Sequence, residues 1–147
     1  LFGQHGRNFV DAIRARLAKN EPLRVVVDQT ECPTYTRHLA DAILRLMKTP
    51  HSGIVHVSAS GSCTWHEFAC AIAARLKPGA VVKPVTTAEY PLPACRPAYA
   101  ALDKSRYESW TGHRMPGWQE GLAQYLALRT PEGPIDLPVS DDRTRLA

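Results

Sequence analysis

The sequence predicts an α/β fold with parallel strand pairing. Helix-like and strand-like segments alternate through the first 85 residues, the order expected of α/β layers. The strand-like segments 24–28, 54–58 and 81–85 are short and rich in valine, as buried strands are. The chain of 147 residues has room for one ordinary core, and 44% apolar against 22% charged residues excludes a disordered chain.

Asn8 is placed to cap a helix over about 9–19, with Phe9, Ile13 and Leu17 recurring every fourth residue beside Val10. Pro22 ends that pattern, and Arg24-Val25-Val26-Val27-Asp28 reads as a strand. After a loop at 31–36, Thr34 or Thr36 is expected to cap a helix over about 36–48, with Leu39, Ile43, Leu46 and Met47 inward. Ile54-Val55-His56-Val57-Ser58 reads as a second strand, apolar on both faces apart from His56, which is expected to be a satisfied core imidazole. Such strands sit inside larger sheets, so a neighbouring strand is expected outside this chain.

Thr64-Trp65-His66-Glu67 has the form of a capping box, opening a helix to about Leu76 that buries Phe68, Ile72 and Leu76. Trp65 and Trp118 read as packing residues. Val81 to Val85 is the third strand. Asp103 is placed to cap a short helix through Tyr107, and a last helix over about 117–128 should bury Trp118, Leu122 and Leu126. Residues 130–147, with Pro-Glu-Gly-Pro and Ser-Asp-Asp-Arg, have little to bury and read as a tail. The opening Leu1-Phe2-Gly3 reads as a strand end entering a loop, and suggests a piece of a longer protein.

The formal charge of +4 is spread along the chain without a dense basic block, which argues against nucleic acid. No apolar run approaches a membrane span. Cys32, Cys63, Cys70 and Cys95 form no C-x-x-C pair and are expected to be reduced thiols of a cytoplasmic protein. Cys63, His66 and Cys70 have metal-like spacing, yet no fourth ligand accompanies them, so no metal is expected.

Catalytic signatures are missing from these residues. There is no G-x-G-x-x-G loop for phosphates, no G-x-S-x-G elbow and no Tyr-x-x-x-Lys pair. Asp28-Gln29 follows a strand end, where α/β proteins place ligand contacts, although a plain turn explains the pair equally well. The most informative stretch is Tyr90 to Asp103. Pro91, Pro93 and Pro97 hold it extended, and Arg96 is the charge it presents in a fixed direction. A guanidinium held that way suits a phosphate, since its planar fork makes two parallel hydrogen bonds; a local carboxylate would serve it as well.

Five motifs in register then resemble a known family. They are Gly3-x-x-Gly6-x-Asn8-Phe9; Asp28-Gln29 with Pro33-Thr34-Tyr35-Thr36 and Leu39-Ala40; and His56-Val57-Ser58 with Gly61, Trp65 and Phe68-Ala69. Tyr90-Pro91-x-Pro93-Ala94-x-Arg96-Pro97-x-Tyr99-x-x-Leu102-Asp103 and Pro116-x-Trp118-x-x-Gly121-Leu122 complete the set. Over about residues 1–128 the chain resembles the C-terminal half of the dTDP-4-dehydrorhamnose reductases, of the extended short-chain dehydrogenase/reductase group.

The resemblance implies the substrate-binding lobe of a Rossmann-type reductase over residues 1–129, with part of its parallel sheet and without the N-terminal cofactor half. It implies reduction of dTDP-4-dehydro-β-L-rhamnose to dTDP-β-L-rhamnose, in the making of cell-surface polysaccharide. NADPH or NADH and the catalytic Tyr-x-x-x-Lys would belong to the N-terminal half, so no catalytic or cofactor-binding residue is expected here. The substrate contacts expected in this chain are Arg96, at the diphosphate, with Asn8, Gln29 and Tyr99. Arg37 and Gln119 stand where some members carry metal-bridging glutamates, so that metal is not carried over. The resemblance leaves a homodimer open. A non-catalytic relative, such as the regulatory β subunit of methionine adenosyltransferase, and a free-standing α/β interaction domain are the alternatives.

Overall fold

The computed structural model describes residues 1–91 and 94–128; the expected tail over 130–147 lies outside them. Helix α1, Phe9–Ala18, starts where expected: Asn8 is its N-cap and accepts the Asp11 N–H at 3.0 Å. Val10, Ile13 and Leu17 form its buried stripe. Strand β1, Leu23–Val26, follows, and then the two-residue strand β2, Thr30–Glu31. Helix α2 is Thr36–Leu46. Strand β3, Cys63–Thr64, leads directly into α3, Trp65–Leu76, and β4 is Val82–Val85. Helices α4, Ser105–Thr111, and α5, Trp118–Ala127, complete the order.

Two small sheets result among the described residues. β1 and β4 pair in parallel, from Leu23 opposite Val82 to Val26 opposite Val85, and β2 and β3 pair antiparallel. The parallel pairing is the expected one; the antiparallel rung is too short to leave a period in the sequence. The core lies between α1, α3, α5 and β1, with Phe2, Ile13, Phe68, Ile72, Leu122 and Tyr125 in one cluster. Phe2 is the expected strand end: it forms a parallel bridge with Tyr35 and stacks on its ring at 5.6 Å. Gly121 lets α5 approach this cluster, since a Cβ there would stand 2.9 Å from the Tyr35 Cβ. Trp65 packs on Phe9 and Trp118 on Phe68, as expected of packing residues.

Several expectations are corrected. Neither Thr34 nor Thr36 caps α2; its N-cap is Tyr35, with no side-chain cap. The Thr34 hydroxyl instead donates to the Cys32 carbonyl and accepts the Ala59 N–H. Ile43 and Met47 do not face inward: α2 buries His38 and Ala42, while Ile43 is 48% and Met47 75% exposed. Leu76 is exposed at the end of α3, Val81 is exposed and lies just before β4, and Leu126 is only half-buried. Segment 54–58 joins no ladder among the described residues, and His56 is exposed, not a core imidazole. The helix expected to end at Tyr107 runs to Thr111, where Gly112 closes it in the left-handed region at φ 68°. Asp103 does accept the Ser105 N–H at 2.8 Å, although the N-cap is Lys104.

Candidate functional site

The proline-rich stretch after β4 is tied down at both ends. On entry, Asp28 accepts both the Thr87 N–H and its hydroxyl at 2.8–3.0 Å, and Glu89 accepts the Thr86 N–H. These donors hold the Asp28 and Glu89 carboxyls below their usual values of 3.8 and 4.5. Asp28 therefore works as a turn clamp. On exit, the Thr30 N–H donates to the Ala98 carbonyl at 2.8 Å and the Ala100 N–H donates to the Thr30 carbonyl at 2.9 Å. Tyr99 thus forms a parallel bridge with Thr30, adding a single rung to β2. Arg96 sits just upstream of this anchor, exposed on an irregular stretch that includes Pro97.

Beside the rung lies an open cleft of about 400 Å³, lined by Cys32, Gly61, Ser62, Tyr99, Leu102 and Lys104, among others. Its walls come from the residue after β2, the loop before β3 and the segment before α4. Gly61 turns the chain there at φ 75°, in the left-handed region that side chains rarely adopt. Ser60 and Gly117 bridge in parallel below it, fixing that loop against the start of α5. Asp103 lines the cleft as well, its carboxyl held below 3.8 chiefly by the Ser105 N–H.

The four residues expected to meet substrate are placed differently. Tyr99 stands on the cleft rim at 68% exposure, and Arg96 extends from the same loop. Gln29 is buried beneath the rung; its amide donates to the Thr87 hydroxyl at 3.0 Å, and its Oε1 has no hydrogen-bond partner among the described residues. Asn8 belongs to the core network. Its amide nitrogen lies within 2.8–3.3 Å of Gly3 O, Asp11 Oδ2 and the Tyr125 hydroxyl, and no contact ties it to the cleft. Cys32, Gly61, Ser62 and Lys104 line the cleft without having been singled out for it, because only the fold brings their loops together.

Burial, helped by neighbouring Glu67 and Cys32, pushes the Cys63 thiol up to about 12, so it is inert. Cys70 lies 3.7 Å from the His66 ring on α3, as their spacing suggests, but His66 Nε2 turns to the Val82 carbonyl. Among the described residues no group of three or more His, Cys, Asp or Glu could hold a metal ion. Nor is any helix among them long and apolar enough to cross a membrane.

The chain as a whole matches known proteins. The family model described as RmlD substrate binding domain matches residues 1–130, and the chain belongs to that family. It is 41% identical over 130 residues to the spore coat polysaccharide biosynthesis protein SpsK of Bacillus subtilis, covering 88% of this chain and 45% of that protein. It is 31% identical to the dTDP-4-dehydrorhamnose reductase of Burkholderia thailandensis, covering 81% and 46%. The crystal structure of dTDP-4-dehydrorhamnose reductase from Bacillus anthracis in complex with NADP superposes with a TM-score of 0.81 at 36% identity, over 87% of this chain and 46% of that one. The chain spans about half the length of the relatives it matches.

Proposed function

We propose that residues 1–129 are the substrate-binding portion of an NAD(P)H-dependent dTDP-4-dehydrorhamnose reductase, acting on dTDP-4-dehydro-β-L-rhamnose in the cytoplasm. The observation that carries the reading is the Thr30–Tyr99 rung, which pins the Arg96 loop against the cleft in a chain of the RmlD substrate binding family. Arg96 is assigned to the diphosphate, since an exposed guanidinium on a stiff loop keeps its fork free for an anion. Tyr99, on the rim, offers a ring face to the sugar nucleotide. Gln29 supports the loop through Thr87 and keeps one acceptor uncommitted. Asn8 is given a supporting role, in holding the Gly3 loop to α1 and α5.

The nicotinamide cofactor supplies the hydride. Among the described residues none forms a glycine-rich phosphate loop, so its binding is not assigned to this chain. The test is calorimetric titration of the chain with dTDP. Saturable binding that Arg96→Ala weakens tenfold or more is expected; no binding, or binding indifferent to Arg96, overturns the reading.

A further inference from the structure

The end of α2, the connection 48–54 and helix α4 gather cations that the fold leaves without counter-charges. Arg45 donates to His113 Nε2 at 2.8 Å, joining α2 to the turn after α4. Arginine has only donors, so the neutral His113 ring carries its proton on Nδ1. His51 stacks on the Trp110 ring, with centroids 4.8 Å apart at 24°. The Arg106 guanidinium lies 5.7 Å from the centroid of the same indole and donates to the Ile54 carbonyl at 2.6 Å. Trp110 is half-buried, while Arg45, Lys48, His51, Arg106 and His113 are exposed. Two arginine–histidine pairs are thus rooted in α4 and its closing turn, one bonded directly and one through an indole.

The charges of these pairs are not neutralised. Among the described residues the ion pairs are Arg16 with Glu21 and Arg114 with Glu108, so neither involves Arg45, Lys48 or Arg106. Asp41 precedes Arg45 by about one helical turn and makes no ion pair with it. Both arginines are nevertheless held in place, Arg45 by an imidazole and Arg106 by a carbonyl and an indole. Fixing long side chains before a ligand arrives lowers the ordering cost of binding it. None of these residues lines the cleft, so what they bind is independent of the reductase reading.

We propose that Arg45, Lys48, His51, Arg106 and His113 form a docking site for an acidic peptide segment of a partner protein, with its carboxylates taken by the two arginine forks beside Trp110. A guanidinium offers a carboxylate two parallel donors, and the unpaired cations supply the complementary charge. Tryptophan and arginine are also the residues on which protein interfaces concentrate their binding energy. A nucleic acid suits the site less well. Strong binding to a phosphate backbone draws on the order of 6–10 contacts, more than the permanent charges of Arg45, Lys48 and Arg106 supply.

The experiment is fluorescence anisotropy of labelled hexaglutamate titrated with the 147-residue chain. Saturable binding is expected, weakened about tenfold or more by Arg45→Gln/Arg106→Gln, since two charge-assisted contacts are lost. Lys19→Gln/Lys83→Gln removes the same charge from exposed positions outside the site and should leave the affinity within about twofold. Equal weakening by the two pairs overturns the proposal, because net charge alone then explains the binding. If melting shows the arginine variant to be unfolded, Lys48→Glu decides in its place. That side chain is exposed, and its reversal should weaken binding about fivefold or more; unchanged affinity overturns the proposal. Three further outcomes also overturn it. Absence of saturable binding leaves no site. Tighter binding of an oligodeoxyadenosine of equal charge makes nucleic acid the occupant. Loss of hexaglutamate binding in Arg96→Ala places the peptide on the proline-rich loop instead.

Discussion

The Tyr125 hydroxyl donates a 2.8 Å hydrogen bond to the Asp11 carboxylate, joining α5 to α1 inside the core. Asn8 donates to the same oxygen at 2.8 Å, so the cap of α1 and the last helix share one acceptor. A buried carboxylate is tolerated only with such donors.

Tyr125→Phe should therefore destabilise the fold by about 1–3 kcal/mol, the cost of leaving a buried charged acceptor short of a partner. Asn8→Ala should cost a comparable ~1–2 kcal/mol through the lost cap. Urea denaturation checks both. The double variant should depart from the sum of the two, because both donors serve Asp11.

Arg96→Ala should weaken dTDP binding about tenfold or more, the worth of a charge-assisted contact at roughly 1.5–3 kcal/mol. Arg96→Lys should recover only part, because a point charge lacks the fork. Calorimetry reads both, and unchanged stability is expected since Arg96 is exposed.

Ala100→Pro removes the N–H that donates to the Thr30 carbonyl. The loop should lose its exit anchor and dTDP affinity should fall several-fold with Arg96 intact. Faster amide exchange at Thr30 in the variant is the structural readout.

Acid should loosen the entry to the loop first. Asp28 is held below 3.8 by the Thr87 N–H and hydroxyl, so the folded state takes up that proton later than the unfolded one. The stabilisation is present above the ordinary value of 3.8 and is lost as the pH falls below it through the folded value. Glu89 behaves the same way below 4.5. Urea midpoints measured against pH should fall in that window, and less steeply in Asp28→Asn.

Local signals were legible in the sequence. Asn8 and the Thr64–Glu67 capping box act over three residues, and both are present: Glu67 donates its N–H to the Thr64 hydroxyl and accepts the Thr64 N–H. Ile13 and Ile72 follow from a single helical stripe. α2 was misread for a physical reason: with apolar residues on opposite faces, no period says which one this chain buries. Tyr125 was overlooked because its value lies in a hydroxyl contact with Asp11, 114 residues away. The cleft was illegible for the same reason. Cys32, Gly61 and Lys104 share no spacing, and a lone rung between Thr30 and Tyr99 leaves no alternation to read. Arg96 and Tyr99 were found through the proline-rich motif they belong to.

The parallel pairing of β1 with β4 also sets a schedule for the ribosome. Val26 is made 59 residues before its partner Val85, with α2 and α3 between them. At 5–20 residues per second that is an interval of roughly 3–12 s. Throughout it the edge carrying Leu23, Val25 and Val26, each buried in the finished fold, has no strand to pair with. α1 can shelter one side of it early, but the edge stays open until β4 emerges. Translation speed between Thr36 and Val82 thus governs how long a sticky valine-rich edge is offered to other nascent chains, and slow codons there should raise the demand for chaperones.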